Sequence, residues 1–294
     1  MNFPFYIARR YLFSKKKHNA INIISGISVC GVALATLALV CTLSVFNGFQ
    51  DMVASFFTAF DPQLKITVRE GKVFDAQDER IRAVCALPEV EVFTETLEEN
   101  AMVQYKDRQA MVVLKGVEDN FEELTAIDSI LYGAGEFVLH DSIVNYGVMG
   151  VELVATLGTG LEFVDPLQVY LPKRNAKVNM ANPGASFNRD YLYSPGVVFV
   201  VNQQEYDGKY ILTSLDFLRQ LLDYTTEVSA MELKLKSNVN TSSVQSKIEN
   251  ILGDDFVVQN RYQQQADVFR IMEIEKLISY LFLTFILMIA CFNV

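Results

Sequence analysis

Two stretches of this chain carry no charged side chain. Ile21 to Phe46 (INIISGISVCGVALATLALVCTLSVF) runs for 26 residues without one, and Leu277 to Val294 (LISYLFLTFILMIACFNV) is likewise uncharged. At about 1.5 Å of helical rise per residue, the first exceeds the roughly 30 Å hydrocarbon core of a bilayer. The pattern predicts a transmembrane helix over residues 21–46 and the start of a second over 277–294. Core helices of soluble proteins seldom lack charge on every face for so long. A secretory signal would have an apolar core of about 7 to 15 residues and a small-residue cleavage site. Val45-Phe46-Asn47-Gly48-Phe49 is a poor site, so the first span reads as an uncleaved anchor.

Inside the first span Ser28, Gly31, Ala35, Ala38 and Thr42 recur at intervals of 3, 4, 3 and 4, which gathers small residues on one face. Such a stripe permits close helix packing. Phe46, Phe49, Val53, Phe56 and Phe60 keep the same interval and predict a helix continuing as a stalk. Ile271, Ile274, Ile278, Leu281 and Phe285 repeat the spacing ahead of and into the second span. Two stalks packed together, or each docked on the intervening domain, would satisfy this pattern. At the start, Asn2 to Lys17 interleaves aromatic and basic residues, as an interfacial amphipathic helix or a simple basic flank would.

The intervening residues 47–276 change period. Leu64, Ile66 and Val68 alternate as a strand, Asp75 is a candidate cap for a helix bearing Ile81, Val84 and Cys85, and Val90 to Phe93 is extended again. Met231, Leu233 and Leu235, then a helix capped at Asn240 or Thr241 with Val244, Ile248, Ile251 and Leu252, then Phe256 to Val258, repeat that order. The two βαβ-like halves predict one split α/β subdomain interrupted by an insertion. The insertion carries short apolar runs at Phe137 to Leu139, Leu167 to Leu171 and Val197 to Val201. Lys173 to Ser194 reads as a long exposed loop turning at Pro183 and Gly184.

Charge adds orientation. Residues 1–20 hold Arg9, Arg10, Lys15, Lys16 and Lys17 and no acid, whereas residues 47–276 carry a net −15 within a chain of −10. By the positive-inside rule the N-terminus is cytoplasmic and the acidic domain lies outside. An acidic domain disfavours nucleic acid as a partner. Cys30, Cys41 and Cys291 fall in the spans, leaving Cys85 as the one thiol of the domain, so no disulfide framework forms there.

Catalytic chemistry is missing. His18 and His140 are the two histidines and neither has a visible partner; Glu98-Glu99 and Asp254-Asp255 read as solvated surface. No phosphate-binding loop or dinucleotide fingerprint is present; Gly133-Ala134-Gly135 and Gly158-Thr159-Gly160 read as turns. Asn240-Thr241-Ser242 matches a glycosylation acceptor but serves better as a cap. No catalytic, metal or cofactor residue is expected.

Ile7-Ala8-Arg9-Arg10-Tyr11-Leu12, Ile24 to Ala33 and Leu43-Ser44-Val45-Phe46-Asn47-Gly48-Phe49 resemble the first span of LolC/LolE-type permeases. Ala290 to Val294 is similar to their second span, and Gly150 to Leu157 and Val198 to Leu222 to parts of their external domain. The resemblance implies an α+β membrane protein of the mechanotransmission ABC type, which includes MacB and FtsX. Transmembrane helices would flank a periplasmic domain built from a split porter-like subdomain (61–122 and 228–262) with an inserted β-rich sabre-like subdomain (123–227). Residues 1–20 would be the cytoplasmic amphipathic helix. The second span stops short and spans three and four are absent, so the resemblance implies an N-terminal piece of a permease.

Its implied function is release of lipoproteins from the inner membrane, without enzymatic activity of its own. The implied partners are a cytoplasmic ATPase subunit, a second permease subunit, a lipoprotein and a LolA-like periplasmic carrier. Phe46, Phe49, Val53, Phe56 and Phe60 become the candidate substrate or dimer surface. The candidate carrier-binding loop holds Lys173, Arg174, Met180, Pro183, Phe187 and Arg189. A MacB-like exporter, an FtsX-like regulator of a cell-wall hydrolase and a doubly anchored adhesion or sensing module are the alternatives.

Overall fold

The computed structural model describes residues 3–12, 19–55, 60–174, 186–264 and 266–292, and the chain divides into two compact units, residues 1–56 with 265–294 and residues 57–264.

The first unit is helical: α1 (Phe3–Leu12), α2 (Asn19–Ser55) and α10 (Ala266–Phe292), with α2 and α10 packed together. Among the described residues, Gly26–Gly48 is long and apolar enough to cross a membrane, with a mean hydropathy of 2.4. The small-residue stripe is the recessed face of α2: Ser28 and Ala35 are buried, and Gly31, Ala38 and Thr42 half-buried. The apolar stripe of α10 behaves otherwise. Ile274, Ile278, Leu281 and Phe285 stay exposed, while among the described side chains Lys276, Ser279, Leu283 and Thr284 are half-buried. Apolar side chains gain nothing by leaving a hydrocarbon solvent, so a large apolar stripe does not by itself decide which face of such a helix is recessed.

The second unit follows in chain order. It opens with β1 (Leu64–Val68), β2 (Phe74–Asp75), α3 (Glu79–Cys85), β3 (Val90–Tyr105), β4 (Arg108–Val117) and α4 (Phe121–Leu124). The middle contributes β5 (Leu131–Gly133), β6 (Val148–Met149), α5 (Val151–Leu157), β7 (Leu167–Pro172), β8 (Phe187–Leu192), β9 (Val197–Phe199), α6 (Gln204–Asp207), β10 (Tyr210–Ser214) and α7 (Leu215–Leu222). It closes with β11 (Glu227–Val228), β12 (Ala230–Leu235), α8 (Thr241–Leu252), β13 (Phe256–Asn260) and α9 (Arg261–Gln264).

One sheet dominates, in the order β13-β1-β12-β3-β4-β10-β6, with β7 on β3 and β8 on β7. Its first four strands interleave β1-α3-β3 with β12-α8-β13, which is the split βαβ arrangement expected from the repeat. The cap differs. Asp75 lies in β2 and accepts from Gln77 N at 2.9 Å, whereas Asp78 caps α3 by accepting from Arg80 N at 2.8 Å. At α8 the cap is Asn240, accepting from Ser242 N at 3.0 Å.

The insertion is less purely β than expected, since α5 and α7 belong to it, and residues 137–139 form no strand. It also shares the sheet. Strand β3 pairs with β12 through Val90–Thr96 and with β7 through Met102–Gln104 along one edge, and with β4 along the other. Hydrophobic side chains under α3 and α8 (Leu64, Ile66, Leu233, Ile248) and under α5 and α7 (Leu97, Val112, Leu153, Leu218) make two cores on one face. A third core around Phe60, Phe121, Phe199 and Leu212 covers part of the opposite face.

Candidate functional site

On that opposite face the sheet carries charge where the alternation would allow apolar residues. Lys65 on β1 pairs in register with Glu232 on β12, and Glu98 on β3 with Lys115 on β4. Lys115 Nζ lies 2.6 Å from Glu232 Oε1 and 3.6 Å from Glu98 Oε1, and Lys65 Nζ lies 3.3 Å from Glu98 Oε1. Four charges on four adjacent strands therefore neutralise one another. Burial alone would raise the Glu98 carboxyl, but Lys65 and Lys115 outweigh it and hold it below the usual range. For Lys65 burial opposes the charge, and Glu98, Glu232 and Asp61 together raise it above the usual lysine value.

Aromatic rings close over this ladder. Lys115 Nζ is 5.9 Å from the Phe60 ring centre and 5.6 Å from that of Phe121, within cation–π range. The Phe60 ring stands 4.8 Å from Phe199 and 5.0 Å from Tyr206. Tyr206 Oη donates to Asp61 Oδ1 at 3.1 Å, and burial first, then Asp61, pushes its phenol far up. Described residues near the two ends of the unit meet here: Arg261 Nε donates to Asp61 O at 2.9 Å, and Gln264 Nε2 to Pro62 O at 3.1 Å.

The five-residue stalk stripe is thereby divided. Phe46 is half-buried on α2, Phe49 and Val53 lie within α2, and Phe56 falls outside the described residues. Phe60 is not a stalk surface: it is 4% exposed, past the end of α2, and packed in the third core. Its 3-4 spacing is shared with the helix, but four aromatic and cationic partners from distant segments hold it in the domain.

The predicted carrier loop is shorter than expected. Phe187 and Arg189 lie on β8, paired with Pro172 and Tyr170 of β7, so a hairpin replaces half of the loop. Both side chains are exposed, as are Lys173 and Arg174 at the other side of the turn, with the Arg174 guanidinium 5.1 Å from the Tyr224 ring centre. Met180 and Pro183 lie outside the described residues.

A cleft of about 340 Å³ opens where the parallel strands β4 and β10 end, lined by Glu118, Asp119, His140, Asp216 and Arg219 among others. Contrary to the sequence reading, His140 has a partner: its Nε2 is 3.0 Å from Asp119 Oδ1. Arg219 Nη2 donates to Glu95 Oε2 at 2.6 Å. Burial, then Glu95, raises the Glu118 carboxyl. Among the described residues no group of His, Cys, Asp and Glu is arranged to hold a metal ion. Cys85 is half-buried, and burial pushes its thiol up to about 11, which keeps it in the thiol form at neutral pH.

Sequence reasoning missed the ladder. Glu98 was expected on a solvated surface beside a turn, yet it lies within the long strand β3 against two lysines. The available signal was Lys115 as the one charge within the otherwise uncharged stretch Met111 to Val117, since a lone charge in such a strand needs a partner.

The family described as MacB-like periplasmic core domain matches residues 25–251. The chain belongs to this family. LolE of the lipoprotein-releasing system of Haemophilus influenzae is 22% identical over 302 residues, covering 100% of this chain and 70% of that protein. LolC of the same system from Xylella fastidiosa is 22% identical, covering 98% of this chain and 67% of that protein. The periplasmic region of MacB from Actinobacillus actinomycetemcomitans aligns with a TM-score of 0.46 at 10% identity, over 70% of this chain and 91% of that one. The match takes in α2 from Ser25 onward and the domain as far as Ile251 in α8.

Proposed function

We propose that this chain is a permease subunit of a lipoprotein-releasing ABC transporter in the inner membrane. The observation that carries the reading is the similarity to LolE and LolC along essentially the whole chain, spans and domain alike. Residues 21–46 and 277–294 act as spans one and two, the basic N-terminus stays in the cytoplasm, and residues 47–276 are periplasmic. The absence of a phosphate-binding loop fits a subunit whose ATP hydrolysis is supplied by a separate cytoplasmic partner.

In this reading an acylated lipoprotein enters beside the first span, with Phe46, Phe49, Val53 and Phe56 as the apolar surface that meets it or a second permease subunit. Phe60 drops out because it is buried within the domain. The exposed basic and aromatic residues Lys173, Arg174, Phe187 and Arg189, with Met180 and Pro183 between them in sequence, form the contact for a LolA-like carrier.

Depletion of the protein, followed by fractionation of lipoproteins between inner and outer membranes, tests the function. Retention in the inner membrane is expected; normal sorting excludes lipoprotein release. Co-purification of an ATPase separates a transporter subunit from an anchored sensing or adhesion module.

A further inference from the structure

Strand β8 is an edge: it pairs with β7 alone. The bond from Lys173 N to Ser186 O at 2.9 Å fixes the phase of that ladder, so Asn188 and Asp190 turn their backbone groups toward β7 while Phe187, Arg189 and Tyr191 turn theirs outward. Natural sheets close such edges, because an open one is a template for another chain. Elsewhere this sheet does so. On the outer side of β13, Gln245 Nε2 donates to Val258 O at 2.9 Å and Asn260 N to Gln263 Oε1 at 3.0 Å. Along β8 the closure stops short. Tyr193 N donates to Asn145 O and Tyr193 O accepts from Gly147 N, each at 2.9 Å, and Tyr191 N donates to Asp190 Oδ1 at 2.8 Å. Among the described residues, the N–H and C=O groups of Phe187 and Arg189 have no partner.

Charge says what fits there. From Lys173 to Arg189 the sequence holds Lys173, Arg174, Lys177 and Arg189 and no acid, within a segment, 47–276, that carries a net −15. An extended acidic segment would gain both the open backbone groups and the positive hairpin. A second copy of β8, placed antiparallel about Arg189, would instead set like charges directly opposite each other. We infer that the β8 edge at Phe187 and Arg189 takes an acidic, extended segment of the periplasmic carrier as an added strand. The inference deepens the proposed carrier contact and rests on it.

Residue-resolved hydrogen–deuterium exchange of the full chain in lipid nanodiscs, with and without the purified LolA-like carrier of the same cell, tests it. The amides of Phe187 and Arg189 are expected to slow about tenfold on carrier binding, while that of Asn188, already in the ladder, changes little. Arg189→Pro should bind the carrier about tenfold more weakly than Arg189→Ala. Both lose the charge, and only proline loses an outward N–H, at an edge position where no bond of the β7–β8 ladder is broken. Affinity should fall as salt is added. Unchanged exchange at Phe187 and Arg189 in the bound complex overturns strand addition and leaves the carrier contact standing, whereas no binding by the parent chain removes both. Equal affinity of the proline and alanine variants also overturns strand addition, and an affinity indifferent to salt overturns the acidic assignment. If Arg189→Pro does not fold, exchange in the parent chain decides alone.

Discussion

Lys115 Nζ lies 2.6 Å from Glu232 Oε1, with the two side chains 2% and 1% exposed. Breaking such a pair leaves an uncompensated buried charge. Lys115→Met alone, or Glu232→Met alone, should cost about 3 to 5 kcal/mol, whereas the two together should be neutral or stabilising. Chemical denaturation of the full chain in detergent, followed by circular dichroism, reads all three; a double variant as unstable as the sum of the singles defeats the argument.

The same ladder sets a pH dependence with two limbs. Glu98 is held below its ordinary value, so its contribution is present above the ordinary carboxylate pKa and is lost as pH falls through the depressed folded value. Lys65 is raised, so its contribution is complete below the ordinary lysine pKa and is lost as pH rises through the higher folded value. Lys65→Met should weaken the acid limb, because Glu98 loses one of its two lysines, and remove the Lys65 part of the alkaline limb. Stability measured across pH checks this, and an acid limb identical to the parent's would contradict it.

The helix caps distinguish neighbouring aspartates. Asp78→Ala should cost about 1 kcal/mol by releasing Arg80 N at the start of α3, and Asn240→Ala a similar amount at α8. Asp75→Ala should cost less, since that carboxylate serves a turn and not the helix. Thermal melts of the three variants rank them; a larger loss for Asp75 would move the cap.

On the β7–β8 hairpin, Phe187→Ala with Arg189→Glu should leave stability within about 0.5 kcal/mol, because both side chains face solvent. Site-specific photocrosslinking from Tyr191, which also faces outward, should lose its carrier adduct in that variant. An adduct of undiminished yield removes the hairpin from the proposed contact.

Much of the architecture was legible along the chain because it depends on local period. Uncharged runs mark helices α2 and α10, the small-residue stripe marks the recessed face of α2, and the repeated strand-helix-strand order fixes the split sheet. Period 2 and period 3.6 are written in neighbouring residues, and nothing distant is needed to read them.

Tertiary structure decided what period leaves open. Phe60 continues the helical spacing of Phe46, Phe49 and Val53, yet contacts with Phe199, Tyr206 and Tyr210 take it into the domain. His140 meets Asp119, and Lys115 meets Glu232 across 117 positions of sequence. Alternation shows only that Lys115 and Glu98 share a face with their strand neighbours. Which carboxylate neutralises which ammonium is set by strand order, and that order exists only once β1, β12, β3 and β4 lie side by side.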